Sequence, residues 1–143
     1  MTKPEKILYT AAATSTGGRE GTSETSDGRI KLTLSTPKGL GGNDGPGTNP
    51  EQLFAAGYST CFIGALKFVA MTNKIALPAG FNVQANVGIG QIPAGFGIEV
   101  AMTVNLPGMT LEQAQDLVDK AHGVCPYSNA TRGNIPVNFE IKN

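Results

Sequence analysis

The stretch NPEQLFAAGYSTCFIGALKFVAMTN, residues 49–73, decides the fold because it is the one long apolar segment of the 143-residue chain. Asn49 can cap a helix, Pro50 suits the first helical position, and Gln52 completes a capping-box pattern. These signals predict a helix from Pro50 to about Asn73. Its middle is apolar on nearly every side, which is typical of a helix in a protein core.

Shorter segments on both sides of this helix carry the alternation of strands or the start signals of further helices. Strands are predicted at residues 6–14, 20–25, 30–35, 81–89, 98–106 and 137–141, and helices at 111–121 and 126–131. Asp27-Gly28 favours a turn, and the Gly/Pro-rich residues 37–50 form a loop long enough to suggest a functional role. The order β-β-β-α-β-β-α-α-β groups its strands in runs, which indicates an α+β fold in one domain, residues 1–143.

The charge balance excludes two classes of partner. Eleven basic residues match eleven acidic ones, so the chain has no electrostatic footprint for nucleic acid or an anionic membrane. Lys67 and several small or polar residues interrupt the long apolar segment, so a buried helix fits it better than a membrane span. Charged residues make up only 15% beside 40% hydrophobic ones, which hints at a buried subunit interface. The start, MTKPEKILYT, lacks the apolar core of a secretory signal, so we expect a cytoplasmic protein.

Two cysteines carry the candidate chemistry, because a pair of thiols in the cytosol is more often redox-active than structural. Cys61 lies within the long helix, where a small buried hydrophobe is an equally good interpretation. Cys125 precedes Pro126 and so occupies a helix N-cap, where the helix dipole and free N–H groups favour a thiolate. A hydrolase pair of Cys125 with His122, the only histidine, is a weaker alternative, since nothing forces their side chains together. Too few ligands are present for a structural zinc site.

A reactive thiolate needs a cationic partner near neutral pH. Arg19 is one candidate, because the two glycines before it let the backbone present it at an unusual angle. Arg29 and Arg132 are the other arginines. Glu51 falls in the first turn of the long helix and complements its dipole whatever else it does. From the residues alone, the sequence supports an α+β domain with two possible redox thiols.

Three motifs carry a family resemblance that covers the chain from Tyr9 to the last strand. They are TAAATSTGGREG (10–21), TNPEQLFAAGYSTCFIGALKF (48–68) and HGVCPYSNATRGNIPV (122–137). Together they resemble the organic hydroperoxide resistance (Ohr) branch of the OsmC/Ohr family. The VCPYSNATRGN segment is similar to the Ohr branch rather than to the OsmC branch.

The resemblance implies a fold, an activity and a set of roles. The fold is OsmC-like, an intertwined homodimer with a long central helix packed on antiparallel-rich sheets. The activity is a thiol-dependent peroxidase that reduces alkyl and fatty-acid hydroperoxides to alcohols. Cys61 is then the peroxidatic cysteine and Cys125 the resolving one, joined in a disulfide during turnover. Arg19 activates the thiolate and polarises the peroxide, and Glu51 orients Arg19. A lipoylated protein is the implied dithiol reductant, and no metal, haem, flavin or other cofactor takes part.

One geometric inference concerns the dimer. Glu51 and Cys61 are ten positions apart on one predicted helix, which is a rise of ~15 Å. An Arg19 that touches Cys61 would struggle to touch Glu51 of the same chain. We therefore expect the Arg19–Glu51 pair at each Cys61 to come at least partly from the other subunit.

Preference for organic peroxides requires an apolar pocket, whose expected lining is Phe54, Phe62, Ile63, Leu40 and Phe96. Two alternatives to the peroxidase remain. One is a non-catalytic member of the same fold that binds an apolar ligand and carries its thiols as passengers. The other is a protein whose two cysteines form a purely structural disulfide.

Overall fold

The structure is a computed structural model that describes residues 3–143. The chain divides into two compact units, residues 1–50 and residues 51–143. The prediction of a single domain over residues 1–143 stays a prediction, and its first two residues, Met1 and Thr2, lie outside the described residues. The predicted order of strands and helices is confirmed in full.

The first unit contains a three-stranded antiparallel sheet with the order β1-β2-β3. Its strands are β1 (Ala13–Thr16), β2 (Thr22–Thr25) and β3 (Lys31–Thr33). The predicted turn at Asp27-Gly28 follows β2, where the Thr25 hydroxyl donates to Asp27 at 2.8 Å and Gly28 N–H donates to the Thr25 carbonyl at 2.9 Å.

The first strand differs from its prediction at residues 6–14. β1 starts only at Ala13, because its partner β2 ends at Thr25 and the turn then leads the chain away. The apolar side chains of Ile7, Leu8 and Tyr9, which suggested a strand, are exposed. Strand limits follow the partner's length here, rather than the local alternation of side chains.

The loop after β3 is irregular, as its composition predicts. It contains one 3-10 turn, Lys38–Leu40. Leu34 and Thr48 form a parallel bridge, and Ser35 N–H donates to the Thr48 carbonyl at 2.9 Å. The long loop therefore returns to the end of β3 before the central helix begins.

The second unit combines three helices with a three-stranded sheet of order β4-β5-β6. The helices are α1 (Pro50–Thr72), α2 (Leu111–Val124) and α3 (Pro126–Thr131), and the strands are β4 (Asn82–Ile92), β5 (Gly95–Asn105) and β6 (Val137–Lys142). β4 and β5 form the predicted hairpin, whereas β6 pairs with β5 in parallel. The parallel pair is the one departure from an antiparallel sheet.

α1 packs on the sheet and on α2 through one face. The buried residues of this core come from α1, β5 and α2, with Leu106 just after β5 and Cys125 just after α2. Its largest members are Tyr58, Phe62, Leu66, Met102, Leu106 and Leu117. The opposite face of α1 exposes Leu53, Phe68 and Met71. Among the described helices, only α1 is long and apolar enough to cross a membrane, judged by length and composition alone. The prediction of a core helix therefore holds for one face of α1 in the single chain.

The start of α2 confirms the predicted capping box. Gln113 N–H donates to the Thr110 hydroxyl at 3.2 Å, and Thr110 N–H donates to the Gln113 side chain at 3.3 Å. This reciprocal pair satisfies two N–H groups that a helix start otherwise leaves unpaired. The helix continues through Gly123 to Val124, beyond the predicted end at residue 121.

We predict that Leu117→Ala lowers the free energy of unfolding by about 2–5 kcal/mol, because it opens a cavity at a fully buried position. Leu111→Ala, on the same helix but 59% exposed, is the matched control and should cost less than about 0.5 kcal/mol. Urea unfolding of both variants measures the difference. Equal losses would contradict the assignment of Leu117 to the core.

Candidate active site

The two thiols lie side by side in the second unit. The Cys125 S–H donates to the Cys61 sulfur, and the two Sγ atoms are 3.7 Å apart. Both cysteines are free. A disulfide has an S–S length of ~2.0 Å, so the two sulfurs need to approach by only about 1.7 Å to form one. The structure thus brings together two residues that are 64 positions apart in the chain.

Local backbone structure fixes the position of Cys125. It ends α2 and begins α3, with its N–H donating to the Ala121 carbonyl at 2.9 Å. Its own carbonyl accepts from Asn129 N–H at 2.9 Å. Pro126 follows at the first helical position, as predicted. Because both backbone groups of Cys125 are bonded, its fully buried side chain is aimed at α1.

The start of α3 acts on the sulfur of Cys61. Cys125 is at the N-cap, but its side chain makes no capping hydrogen bond within residues 3–143. The backbone N–H of Tyr127, in the first turn of α3, instead lowers the pKa of Cys61. The Cys125 side chain contacts Cys61 rather than the first turn of its own helix. The expectation that the dipole favours a Cys125 thiolate stays a prediction.

At Cys61, burial changes the pKa more than the Tyr127 N–H does. Loss of solvent around the sulfur raises the pKa of this thiol, the neighbouring Cys125 raises it further, and the Tyr127 N–H only partly opposes them. The surroundings of Cys61 thus favour the neutral thiol. A nearby positive charge is what chemistry requires to reverse this balance.

An aromatic cluster joins α1 to α3. The ring centroids of Phe54 and Tyr58 are 5.9 Å apart, and Tyr127 lies 5.6 Å from Tyr58 and 5.9 Å from Phe54. Gly57 makes room for this packing, since a Cβ there would lie 3.0 Å from the Tyr127 hydroxyl oxygen. Phe54, Tyr58 and Tyr127 thereby form an aromatic wall between α1 and α3.

A cleft of about 430 Å³ opens next to this wall, and its lining is mostly apolar: Phe54, Ile98, Tyr127, Ala130, Thr131, Asn134 and Ile135. Of the expected pocket residues, Phe54 lines this cleft. Phe62 does not, because it is fully buried against Phe139 with the ring centroids 5.1 Å apart. Phe96 is exposed at the start of β5, and Leu40 belongs to the first unit.

Arg19 occupies the 3-10 turn Gly18–Glu20, which joins β1 to β2. Gly17 and Gly18 have φ values of 70° and 57°, so the two glycines adopt the left-handed backbone that the sequence suggested. Arg19 belongs to the first unit, whereas Glu51 lies in the first turn of α1. Both side chains are half-buried and engaged in interactions. Their expected roles stay predictions.

Sequence reasoning missed three buried hydroxyls beside the thiols. The Tyr58 hydroxyl lies 3.0 Å from the Ser128 hydroxyl and 3.1 Å from the Thr131 hydroxyl. Their spacing contained a signal, because Tyr58 precedes Cys61 by three residues, while Ser128 and Thr131 follow Cys125 by three and six. Residues three apart share a helix face, so each cysteine and its hydroxyl neighbours point the same way.

His122 gives the hydrolase alternative no support. Its ring packs edge-on against Phe139 at 4.9 Å, and its Nδ1 is buried without a hydrogen-bond partner among the described residues. The Cys125 thiol donates to Cys61 instead. Within residues 3–143, no three His, Cys, Asp or Glu side chains gather as metal ligands would.

The chain is similar to known proteins over most of its length. The family described as OsmC-like protein matches residues 41–140. An organic hydroperoxide resistance protein of Xanthomonas axonopodis pv. citri is 60% identical over 141 residues, which cover 99% of each chain. Two crystal structures of organic hydroperoxide resistance proteins share the fold. The one from Elizabethkingia anophelis has 53% identity and a TM-score of 0.91 over 96% of this chain and 99% of that one. The one from Legionella pneumophila has 46% identity and a TM-score of 0.92 over 96% and 100%.

We predict that the single histidine makes stability fall on mild acidification. Burial lowers the pKa of His122 below its ordinary 6.5, the Arg132 guanidinium lowers it further, and Asp119 partly opposes both. The unfolded chain therefore takes up a proton more readily than the folded one. Stability is fully present above about pH 6.5 and is lost as the pH falls below that value.

Urea unfolding of the wild type and of His122→Gln between about pH 8 and about pH 5.5 measures this loss. The wild type should lose stability over this range more steeply than the variant. Two parallel curves would contradict the lowered pKa of His122.

Proposed function

Because this chain belongs to the OsmC/Ohr family and its relatives are organic hydroperoxide resistance proteins, we propose that it is a thiol peroxidase that reduces organic hydroperoxides to alcohols. The observation that carries the proposal is the 3.7 Å separation of the Cys61 and Cys125 sulfurs. The apolar cleft supports it, because Tyr127 lines the cleft and its backbone N–H bonds to Cys61. One thiol is placed to react, and a second is placed to form a disulfide with it. A role in organic hydroperoxide resistance itself is supported by the relatives' names.

The first step uses Cys61. Its thiolate attacks the distal oxygen of the hydroperoxide, the O–O bond breaks, and the alkoxide leaves and takes up a proton to become the alcohol. The sulfur is oxidised to a sulfenic acid, and the peroxide is reduced. Cys61 fits this role better than Cys125, because it is half-buried while Cys125 is fully buried.

Arg19 and Glu51 are proposed to make this step possible at neutral pH. Burial raises the pKa of Cys61, so a guanidinium is needed to stabilise the thiolate and the charge on the leaving oxygen. The fork of an arginine can contact both at once, which a lysine ammonium does less well. Glu51 is a positioning residue that orients the arginine. The glycines before Arg19, both at positive φ, fit an arginine presented at a fixed angle.

The second step uses Cys125. Its sulfur attacks the sulfenic sulfur of Cys61, an S–S bond forms, and hydroxide leaves as water with the proton of the Cys125 thiol. An external dithiol then reduces the disulfide by exchange and is itself oxidised to a disulfide. We propose a lipoylated protein as that dithiol, on the strength of the family resemblance. The scheme requires no metal or other bound cofactor.

The apolar cleft supports alkyl and fatty-acid hydroperoxides as substrates. Phe54 and Tyr127 line it, and their ring centroids are 5.9 Å apart. A hydrocarbon tail in the cleft gains by leaving water, whereas hydrogen peroxide has no tail to bury. This difference gives the organic peroxide the advantage in binding.

We further propose a cytoplasmic homodimer. In the single chain, Leu53, Phe68 and Met71 are exposed on one face of α1. Such a stripe on a helix is typical of a surface covered by another protein surface. A second copy of the same chain, as the family resemblance implies, would cover it.

The cleft also favours a second candidate function, a non-catalytic protein that binds an apolar ligand and whose thiols are passengers. The two candidates differ in their dependence on Cys61. A binder retains its function without this sulfur, whereas a peroxidase loses it.

Cys61→Ser should therefore reduce turnover of tert-butyl hydroperoxide, with dihydrolipoamide as the donor, by at least about a thousand-fold, because serine is a far weaker nucleophile. Cys125→Ser is the matched variant. It should keep the first turnover and accumulate a Cys61 sulfenic acid that dimedone traps. Unchanged turnover in Cys61→Ser, or faster turnover of hydrogen peroxide than of the organic peroxide by the wild type, would contradict the proposal.

Arg19→Ala should slow the first step roughly 10- to 1,000-fold at neutral pH, because loss of a neighbouring cation shifts a pKa by about one to three units. Arg19→Lys should slow the first step less than Arg19→Ala does. The pH dependence of Cys61 alkylation and stopped-flow oxidation measure both effects. Arg29→Ala is the control, because Arg29 is 86% exposed beside Asp27.

Complementation then locates Arg19 within the dimer. A mixture of Cys61→Ser chains, which lack the reactive thiol, and Arg19→Ala chains, whose first step is slow, should be more active than either variant alone if Arg19 acts on the other subunit's thiol. A mixture no more active than its components would show that each chain needs its own Arg19.

A further inference from the structure

Three buried hydroxyls connect the two helices that carry the cysteines. Tyr58 on α1 and Ser128 on α3 are fully buried, and Thr131 on α3 is 5% exposed. The Tyr58 oxygen is within hydrogen-bond distance of both α3 hydroxyls, at 3.0 and 3.1 Å. Most of the surrounding core is apolar. A polar group buried in such surroundings is costly unless it is bonded, so these three hydroxyls depend on one another.

The direction of each bond follows from the proton count. The Thr131 hydroxyl donates to the Tyr127 carbonyl at 2.9 Å, which uses its only proton. The Thr131 oxygen must then accept the proton of Tyr58. Tyr58 has no second proton, so its oxygen accepts from Ser128. Each hydroxyl donates once, in an ordered chain from Ser128 through Tyr58 and Thr131 to the helix backbone.

This chain of hydroxyls lies one helical turn from each sulfur. Tyr58 is three residues before Cys61, and Ser128 is three residues after Cys125. α3 has only six residues, so its internal hydrogen bonds are too few to hold it in place. Its placement against α1 must come from lateral contacts, and the bonds of Tyr58 supply directional ones.

We propose that Tyr58 is a positioning residue for the resolving step. Its hydroxyl holds α3 against α1, so that the Cys125 sulfur stays within reach of Cys61 while Cys61 is a sulfenic acid. The inference rests on the proposed peroxidase function and deepens it. In the resolving step an S–S bond forms, the S–O bond of the sulfenic acid breaks, and water leaves with the proton of Cys125. If that step is slow, a second hydroperoxide oxidises the sulfenic acid irreversibly to a sulfinic acid.

Tyr58→Phe tests this role, because it keeps the ring and removes only the hydroxyl. Rapid mixing with tert-butyl hydroperoxide separates two rates in the full chain. The rate of Cys61 oxidation should stay within about twofold of the wild type, since that step does not use Cys125. The rate of disulfide formation should fall by at least about fivefold, and the sulfinic fraction under excess peroxide should rise.

Two further variants separate positioning from general loss of stability. Val118→Ala removes buried apolar volume from α2 without touching the hydroxyls, and it should leave the rate of disulfide formation unchanged. Ser128→Ala breaks only one of the two bonds to Tyr58 and should give a smaller defect than Tyr58→Phe. Ser128→Ala also tests the positioning role if Tyr58→Phe fails to fold. An unchanged disulfide rate in Tyr58→Phe and Ser128→Ala, or an equal defect in Val118→Ala, would overturn the proposal.

A second oxidant distinguishes this inference from the peroxidase proposal. Diamide oxidises two nearby thiols to a disulfide without a sulfenic acid. One thiolate adds to its N=N bond, and the second thiol then forms the S–S bond and releases the reduced hydrazine. If the wild type fails to react with hydroperoxide, the proposed function is wrong. Slow disulfide formation by Tyr58→Phe with diamide would still support the positioning role, and formation at the wild-type rate would overturn it.

Discussion

The contact of Cys125 with Cys61 depends on how α3 meets α1. One residue ends α2 and begins α3, and both of its backbone groups are bonded within those helices. The Cys125 side chain therefore has little freedom beyond its own rotamer. The position of its sulfur is set by the position of the junction between α2 and α3. The 3.7 Å separation of the sulfurs is a consequence of helix packing, because no local sequence feature joins the two cysteines.

Apolar and polar contacts together determine how α3 packs against α1. The rings of Phe54, Tyr58 and Tyr127 bury surface where α1 meets α3, which favours contact but specifies no single geometry. The Tyr58 hydroxyl adds two directional bonds to α3 and so selects one placement of the helix. A disulfide partner needs that precision, since a displacement of 1–2 Å is comparable to the whole approach that bond formation requires.

Local signals in the sequence predicted the elements that depend on local chemistry. Pro50 and Pro126 marked two helix starts, and Thr110 with Gln113 marked the capping box, because each signal acts within one turn of helix. β1 was misplaced because its limits are set by a partner strand, and the parallel pairing of β5 with β6 left no trace in either strand's alternation.

Less of the candidate site than of the fold could be predicted from local sequence signals. The pairing of Cys61 with Cys125 came from the family resemblance, and spacing alone left a buried passenger thiol as an equal alternative. Which sulfur receives the N–H of the α3 start could not be read from the sequence, since the answer depends on the rotamer of Cys125 and on helix packing. The hydroxyls of Ser128 and Thr131 share the face of Cys125, but their partner on α1 becomes evident only in three dimensions.

The surroundings of Cys61 impose two opposite demands in the proposed mechanism. An apolar cleft favours an organic tail. Burial of Cys61, however, raises the pKa of its thiol and so lowers the fraction of the reactive thiolate. Opening the sulfur to water would restore the thiolate, but it would also remove the apolar surface that favours an organic peroxide. A single guanidinium meets both demands, because it stabilises the anion by charge and directed hydrogen bonds while the rest of the wall stays apolar. The same reasoning explains why an arginine suits this chemistry better than a lysine, whose ammonium is a single point charge.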